Sequence, residues 1–341
     1  MRSSQAAPAA VAIEEQLDWL RSMHEIRFFE EECQRLFTDG LVRGSTHLCQ
    51  GQEGVEVGAC RALADGDTMT CTYRGHGAVL AMGAPLDRTF AEIMGKAEGL
   101  CGGKGGSMHL TDVSVGALGS FAIIGAHLPI AAGVALAERY LDSGRVTICF
   151  FGDGATNIGA FHEALNLASI WKLPVVYVIE NNLYGEYSPL AATTPIEQLV
   201  DRADAYGMRK ERVDGNDIGL VHRAVTAAAA AARAGEGPTL VEALTYRHKG
   251  HSRTDPAKYR PAGELEEWLQ RDPILLHERA LQSAGIDAER LARVRDDAER
   301  AVLDALERAK AFQAPAPESR FDHVFAEQAL AQASADAGVL A

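Results

Sequence analysis

The strongest constraint on the fold of this chain is a strand–helix–strand pattern between residues 146 and 182. VTICFF (146–151) is continuously apolar, as strands buried on both faces are, and LPVVYVIENN (173–182) has the same character. The segment between them, 158–172, has the period of a helix. Its apolar stripe consists of Phe161, Leu165, Ala168 and Trp171. Because such a crossover joins parallel strands, we predict an α/β protein whose mostly parallel sheet carries helices on both faces.

Further elements extend this pattern to the rest of the chain. Helices are predicted at residues 13–37, 54–63, 126–141 and 220–234, followed by a charged helical region at 263–312. Additional strands are predicted at the start of TMTCTYRGHG (68–77) and at 239–246. The order predicts a flexible arm (1–12), an α/β domain (13–262) and a helical C-terminal extension (263–341). APAPES (314–319) breaks that extension, and a short helical tail is expected after it.

Composition excludes several classes of protein. The net charge of −14 argues against nucleic-acid binding, which needs a basic surface. The sequence contains no apolar run of about 18 residues, so we expect no membrane span, and the N-terminus lacks the apolar core of a signal peptide. The six cysteines show no CxxC spacing. Reduced thiols and a cytoplasmic location are therefore expected.

A carboxylate between two glycines follows the first strand of the crossover. Asp153 lies in GDG, and Asn181-Asn182 ends the next strand after 26 intervening positions. The carboxyl ends of neighbouring parallel strands share one edge of a sheet, where ligands bind. Glycine backbone N–H groups and a helix N-terminus favour an anion, and Mg²⁺ takes oxygen ligands from protein and phosphate together. The sequence therefore predicts a magnesium–diphosphate site here.

The spacing of GDG and NN resembles the thiamine-diphosphate motif. The surrounding sequence resembles the alpha subunit of the decarboxylating component of 2-oxo-acid dehydrogenase complexes, of the pyruvate or acetoin type. The resemblance runs from about Thr46 to Pro256. Its matching stretches are THLCQGQEGVEVG, YRGHG, GKGGSMH, GDGATNIGAFHEALNLASIWKLPVVYVIENNLYG, VDGNDI and YRHKGHSRTDP. The α/β domain would then be the diphosphate-binding domain of such an enzyme.

The resemblance implies a set of cofactor-binding residues. Magnesium would be held by Asp153, Asn182 and the backbone carbonyl of Tyr184. The diphosphate of thiamine diphosphate would be contacted by Gly152, Gly154, Ala155, Tyr73 and Arg74. Arg74 supplies a permanent forked donor suited to phosphate oxygens.

A basic run and several histidines complete the implied site. YRHKGHSR places Arg247, Lys249, His251 and Arg253 in one loop of an acidic protein, which favours an anion site that includes Arg247. His251 matches the family's cofactor-side histidine, while His47 and His76 match histidines of the active-site channel. Ile124 matches the residue that keeps the cofactor bent, and its branched side chain suits a wedge. Relatives often have Gly or Ser where this chain has Ala122, so Ala122 is left out of the site.

The resemblance also implies partners. Family enzymes need a glutamate from a pyrimidine-binding domain, and we find no second α/β domain in 341 residues. A beta subunit would supply it, in an α2β2 assembly, with helix 126–141 as a contact. A lipoyl-bearing acyltransferase would accept the acyl group. The substrate stays open between pyruvate, acetoin and another small carbonyl compound.

Other functions are weighed against this one. A dinucleotide-binding oxidoreductase is disfavoured because no GxGxxG follows an early strand, and no GxxxxGK[ST] is present for a phosphate-binding loop. A non-catalytic scaffold subunit with the same fold, or a non-oxidative thiamine-diphosphate lyase, remains as an alternative. The glycine-rich run GKAEGLCGGKGGSMHLTD (95–112) is also noted, because loops of this kind often close on a ligand.

Overall fold

The computed structural model of the chain describes residues 11–42 and 44–322. The helices are α1 (Ile13–Thr38), α2 (Glu53–Cys60), α3 (His76–Ala81), α4 (Leu86–Ile93), α5 (His127–Tyr140), α6 (Gly159–Ile170), α7 (Leu190–Thr193), α8 (Ile218–Arg233), α9 (Glu264–Leu269), α10 (Pro273–Ser283) and α11 (Ala288–Ala311). The strands are β1 (Thr68–Thr72), β2 (Ala117–Phe121), β3 (Thr147–Gly152), β4 (Val175–Asn181), β5 (Tyr184–Gly185), β6 (Ser188–Pro189), β7 (Arg209–Asp214) and β8 (Thr239–Leu244).

Six strands form one sheet in the order β2-β1-β3-β4-β8-β7, and every neighbouring pair is parallel. The predicted crossover forms the centre of this sheet, where Cys149 of β3 pairs with Tyr177 of β4. Strands β5 and β6 form a separate antiparallel hairpin. The predicted α/β class with a mostly parallel sheet is confirmed.

Alternate residues of the central strands belong to two different cores. Ile148 and Phe150 of β3 pack in a core with residues of α1, α2 and α8. Cys149 and Phe151 of the same strand pack in a second core with residues of α5 and α6. Because successive side chains of a strand point to opposite faces, the sheet is covered by helices on both faces, as predicted.

The predicted helices and buried strands are present with small shifts at their ends. Trp171, predicted on the apolar stripe of this helix, lies just after the last helical residue, Ile170, and has 43% of its surface exposed. Two edge strands have no counterpart among the predictions. Strand β7 consists mostly of exposed charged residues, and β2 contains a glycine, so neither shows an apolar strand pattern.

The helical C-terminal region packs on the rest of the chain, with α10 against α1 and α11 against α1 and α4. The helices α8, α10 and α11 begin at aspartate caps, namely Asp217, Asp272 and Asp287. Residues 1–10 of the predicted arm and the tail after residue 322 lie outside the described residues. Within the described ranges, none of the helices combines the length and the apolar character that crossing a bilayer requires.

Candidate active site

A cavity of about 460 Å³ opens at the carboxyl edge of the sheet, where the segments after β1, β3, β4 and β8 converge. Twelve of the thirteen predicted site residues line it. They are His47, Tyr73, Arg74, Ile124, Gly152, Asp153, Gly154, Ala155, Asn182, Tyr184, Arg247 and His251. The parallel order of the strands thus brings together residues that are up to 204 positions apart in sequence (47 to 251).

Asp153 lies at the floor of this cavity, at the start of a 3₁₀ turn (Asp153–Asn157) that follows β3. Its side chain is 1% exposed, and neither carboxylate oxygen has a hydrogen-bond partner in the described part of the chain. Burial raises the pKa of Asp153 to about 6, and this effect outweighs the lowering by the nearby backbone N–H groups of Asp153 and Asn182, which lie outside good hydrogen-bond geometry. Burying an ionised carboxylate without a hydrogen-bond partner destabilises the folded protein unless a cation neutralises the charge. The site therefore fits a metal ion.

Asn182 follows β4 and lies beside the same cavity. Its side-chain N–H donates to Gln52 Oε1 at 3.1 Å, and its Oδ1 accepts from the backbone N–H of Tyr184 at 3.4 Å. Leu183 between them has φ of 71°, which turns the chain back across the cavity. There the Gly154 and Gly185 backbones approach so closely that a Cβ on Gly154 would lie 3.2 Å from the Gly185 Cα.

Two buried arginines converge on the cavity. Arg74 donates to the carbonyls of Leu48 and His251, both at 2.7 Å. Arg247 donates to the Glu186 carbonyl at 3.1 Å and to the Tyr259 hydroxyl at 2.9 Å. Burial and the charge of Arg74 lower the pKa of Arg247 to about 10. Since two like charges share one buried cavity, an anion bound between them would be stabilising.

His47, Tyr73 and His251 form an aromatic cluster on the cavity wall. The ring centre of His47 lies 4.3 Å from that of Tyr73 and 5.0 Å from that of His251. Burial, followed by the charge of Arg74, lowers the pKa of His47 to about 3 and that of His251 to about 4. Both imidazoles are therefore neutral near pH 7, each able to donate one hydrogen bond and accept one.

Comparison with known proteins identifies the family. The family model described as "Dehydrogenase E1 component" matches residues 21–318 of the chain. The chain belongs to this family. Its relatives include the acetoin:2,6-dichlorophenolindophenol oxidoreductase alpha subunits of Bacillus subtilis (strain 168) and Cupriavidus necator. The first is 44% identical over 89% of this chain and 90% of its own length, the second 41% identical over 89% and 92%.

The pyruvate dehydrogenase E1 component alpha subunit of Zymomonas mobilis is also similar, with 38% identity over 91% of this E1 chain and 88% of the relative. The predicted resemblance to alpha subunits of pyruvate and acetoin dehydrogenases is therefore confirmed. Enzymes of this family are thiamine-dependent oxidoreductases, which implies thiamine diphosphate as cofactor. The name alpha subunit implies a beta subunit as partner.

His76 is the one predicted site residue of the E1 chain that does not line the cavity. It is fully buried at the start of α3, where Nδ1 lies 2.8 Å from Glu30 Oε2 and Nε2 lies 2.8 Å from Ser107 Oγ. Both ring nitrogens are therefore engaged by side chains of the same chain, and the predicted role of His76 in the channel stays a prediction. Glu30, Cys33 and His76 have ligand-type atoms within 4.8 Å of one another. Both Glu30 oxygens are already engaged, one by His76 and the other by the Cys49 N–H.

The glycine-rich run of the E1 chain is organised around a single carboxylate. Glu92, at the end of α4 and fully buried, accepts four backbone N–H groups at 2.7–3.0 Å. The donors are Cys101, Gly103, Gly105 and Gly106. The loop thus binds a side chain of its own protein, and it contributes Met108 to the cavity wall. These four amides are therefore not available to a ligand, while the expectation that the loop closes on a ligand stays a prediction.

Several lining residues of the E1 cavity were not among the predicted site residues. They include Gln52, Thr72, Met108, Ala122, Asn157 and Glu180. Glu180 could have been found, because it immediately precedes Asn181-Asn182 at the end of a buried strand. Gln52 carries no such signal, since its role depends on contacts with residues about 130 positions away.

Proposed function

We propose that this chain is the alpha subunit of a thiamine-diphosphate-dependent dehydrogenase that cleaves the carbon–carbon bond of acetoin, with pyruvate as the alternative substrate. The observation that carries the proposal is the buried Asp153 carboxylate, unpartnered beside Asn182 in a cavity that also holds two arginines. Acetoin is favoured because the acetoin-enzyme subunit of Bacillus subtilis, at 44% identity, is more similar to this chain than the pyruvate-enzyme subunit of Zymomonas mobilis, at 38%.

The proposed metal is Mg²⁺, bound by the Asp153 carboxylate, the Asn182 side-chain oxygen and the Tyr184 carbonyl. This donor set is all oxygen, which Mg²⁺ prefers, and it leaves positions for phosphate oxygens and water. The buried, unpaired oxygens of Asp153 support the assignment, because a divalent cation offsets their desolvation.

The proposed diphosphate site lies between the metal ligands and the two arginines. Gly152, Gly154 and Ala155 offer backbone N–H groups, while Tyr73, Arg74 and Arg247 offer side-chain donors. Support comes from the lowered pKa of Arg247, which indicates cationic crowding that an anion would relieve. Ile124, 41% exposed at the cavity wall, is proposed to hold the cofactor bent.

When bound, thiamine diphosphate supplies a nucleophilic ring carbon and an electron sink for the cleaved bond. The chain's part is to orient the substrate carbonyl and move protons. We propose His251 and His47 for that part, because both are neutral and line the cavity. A neutral imidazole can donate to a developing alkoxide and accept a hydroxyl proton. His76 is left out of this proposed step because it lies within the protein interior.

The beta subunit is proposed to dock over α5 and α6 and to complete the site. Support comes from apolar side chains exposed on these helices and on the adjoining loop. They are Ile123, Ile130, Leu136, Tyr140, Leu141, Leu167, Ile170 and Trp171. An α2β2 assembly and an acceptor lipoyl group on an acyltransferase are parts of the same proposal.

Two organisational points belong to the proposal. Residues 13–262 are proposed as the diphosphate-binding domain and the helices after 263 as an extension packed on it. In support, Val302 and Leu306 of α11 share a core with Leu17 of α1. A cytoplasmic location is supported by the six free thiols, which reducing compartments maintain.

The test uses the chain co-purified with its beta subunit, with Mg²⁺ and thiamine diphosphate added. Reduction of 2,6-dichlorophenolindophenol is compared with acetoin, pyruvate and branched 2-oxo acids. The proposal expects reduction that needs both Mg²⁺ and cofactor, with acetoin preferred over pyruvate. A preference for pyruvate would overturn the substrate assignment alone. Cofactor binding without dye reduction by any compound would favour a non-oxidative lyase, and no cofactor binding would favour a scaffold subunit.

A further inference from the structure

A buried glutamine connects the proposed metal ligand Asn182 to a carboxyl group behind it. Gln52 Nε2 donates to Glu180 Oε1 at 3.0 Å, and Gln52 Oε1 accepts from Asn182 Nδ2 at 3.1 Å. All three side chains are buried, Gln52 with 1% of its surface exposed. Both ends of the Gln52 amide are therefore used inside the protein, and the three residues form a continuous chain of hydrogen bonds that ends at the cavity.

This chain of hydrogen bonds has a defined direction. The carboxyl oxygen of Glu180 accepts, so it selects the N–H end of the Gln52 amide, and the oxygen end of Gln52 is left to face Asn182. That oxygen in turn selects the N–H end of the Asn182 amide. If Gln52 were reversed, its oxygen would face an acceptor on Glu180 and its N–H group would face the N–H group of Asn182.

The direction matters because only the oxygen of an asparagine side chain can bind a cation. With Nδ2 held by Gln52, the Asn182 Oδ1 is kept on the opposite side of the amide. We propose that Gln52 is a positioning residue that fixes the Asn182 amide with its oxygen available to the metal. This inference rests on the proposed function, since it assumes that Asn182 binds Mg²⁺.

The backbone around Gln52 is held firmly enough for this role. Gly51 donates to Glu53 Oε2 at 2.9 Å, and its carbonyl accepts from Thr245 Oγ1 at 3.0 Å. Arg27 pairs with the other Glu53 oxygen. Gly51 has φ of +99°, and a Cβ there would lie 2.2 Å from the Tyr246 carbonyl oxygen. The segment that carries Gln52 is thus fixed to α1, α2 and the end of β8, as precise orientation of a metal ligand requires.

The test uses the complex co-purified with the beta subunit and measures the Mg²⁺ concentration that half-saturates thiamine-diphosphate binding. Cofactor binding is monitored by the quenching of protein fluorescence. In Gln52→Ala, this concentration should rise about 10-fold or more, the usual effect of losing a group that orients a metal ligand. Turnover at saturating Mg²⁺ should change far less.

Gln50→Ala is the matched control. Gln50 is buried in the same segment, and within the described ranges its side-chain oxygen has no hydrogen-bond partner. The Gln50→Ala complex should show the same half-saturating Mg²⁺ concentration as the wild type. If Gln52→Ala fails to fold, Gln52→Met removes both hydrogen bonds with less change in volume and takes its place. An unchanged half-saturating Mg²⁺ concentration in a folded Gln52 variant would overturn the inference alone. Absence of Mg²⁺-dependent binding in the wild type would overturn the proposed function and the inference with it.

Discussion

The hydroxyl of Tyr184 donates a 2.7 Å hydrogen bond to Glu264, the first residue of α9. The same carboxylate oxygen accepts from the Tyr246 hydroxyl at 2.8 Å, and the Arg260 guanidinium lies 4.7 Å from the Tyr246 ring centre. The segment that carries the Tyr184 carbonyl is therefore tied to the C-terminal helices. The extension supports the cavity through these contacts, although none of its residues in the described range 263–322 lines the cavity.

We predict that Glu264→Ala weakens both stability and metal binding. Two tyrosine hydroxyls lose their acceptor, which should lower the free energy of unfolding by about 1–3 kcal/mol. The Mg²⁺ concentration that half-saturates cofactor binding should rise, because Tyr184 becomes more mobile. Urea unfolding and a Mg²⁺ titration measure the two effects. Glu266→Ala, an exposed site on the same helix, is the control and should leave both quantities unchanged.

Asp153→Asn should stabilise the cofactor-free protein while abolishing Mg²⁺-dependent cofactor binding. Burial raises the pKa of Asp153 from 3.8 to about 6, so its ionisation destabilises the folded state progressively as the pH rises from about 4 to 6, and the full effect is present above pH 6. Removing it should increase the free energy of unfolding by about 3 kcal/mol at pH 8 and about half as much at pH 5. Urea unfolding without cofactor at the two pH values measures this. Lower stability of the variant at pH 8 would contradict the assignment of an unpaired buried charge.

Glu92→Gln should loosen the glycine-rich loop. The neutral amide offers one acceptor oxygen in place of two and turns an N–H group toward backbone donors, so buried N–H groups are left unpaired. We expect a loss of about 2 kcal/mol or more in the free energy of unfolding. Hydrogen exchange should accelerate at Cys101, Gly103, Gly105 and Gly106. Glu98→Gln, at an exposed carboxylate in the same run, should leave their exchange unchanged.

His127 should make the protein less stable as the pH falls. It is fully buried at the start of α5, donates to the Phe150 carbonyl at 2.8 Å, and has its pKa lowered by burial from 6.5 to about 4. Because the unfolded chain binds the proton more readily, this histidine lowers the free energy of unfolding by about 2 kcal/mol between pH 7.5 and 5. Urea unfolding of His127→Gln should show a smaller loss over that range. His162→Gln, at an exposed histidine, should retain the wild-type dependence.

The centre of the fold could be predicted because each central strand is buried on both faces. Residues 148–151 and 175–179 are apolar at every position, so the crossover is visible without long-range information. The edge strand β7 was not, because Arg209, Lys210, Glu211 and Arg212 point to solvent and only pairing with β8 makes the segment a strand. Its structure depends on a partner strand, which local patterns do not encode.

The positions of the site residues followed from the motifs, whereas their contacts did not. His76 lies two residues after Arg74, yet the turn into α3 directs Arg74 to the cavity and His76 to Glu30. Ala122, left out of the predicted site, does line the cavity, because the chain after β2 passes along its wall. Such assignments depend on which way a side chain leaves the backbone, and this is decided by tertiary packing.

The group bound by the amides of the glycine-rich loop is the side chain of Glu92, which is covalently part of the same chain. Four amides that could have bound a phosphate from solution are instead paired with a carboxylate of the same chain. The glycine-rich loop (95–112) and the GDG turn (152–155) therefore differ as targets for inhibitors. Phosphate mimics would find the amides of Cys101, Gly103, Gly105 and Gly106 already paired, so the turn at 152–155, proposed above as the diphosphate site, is the one to target.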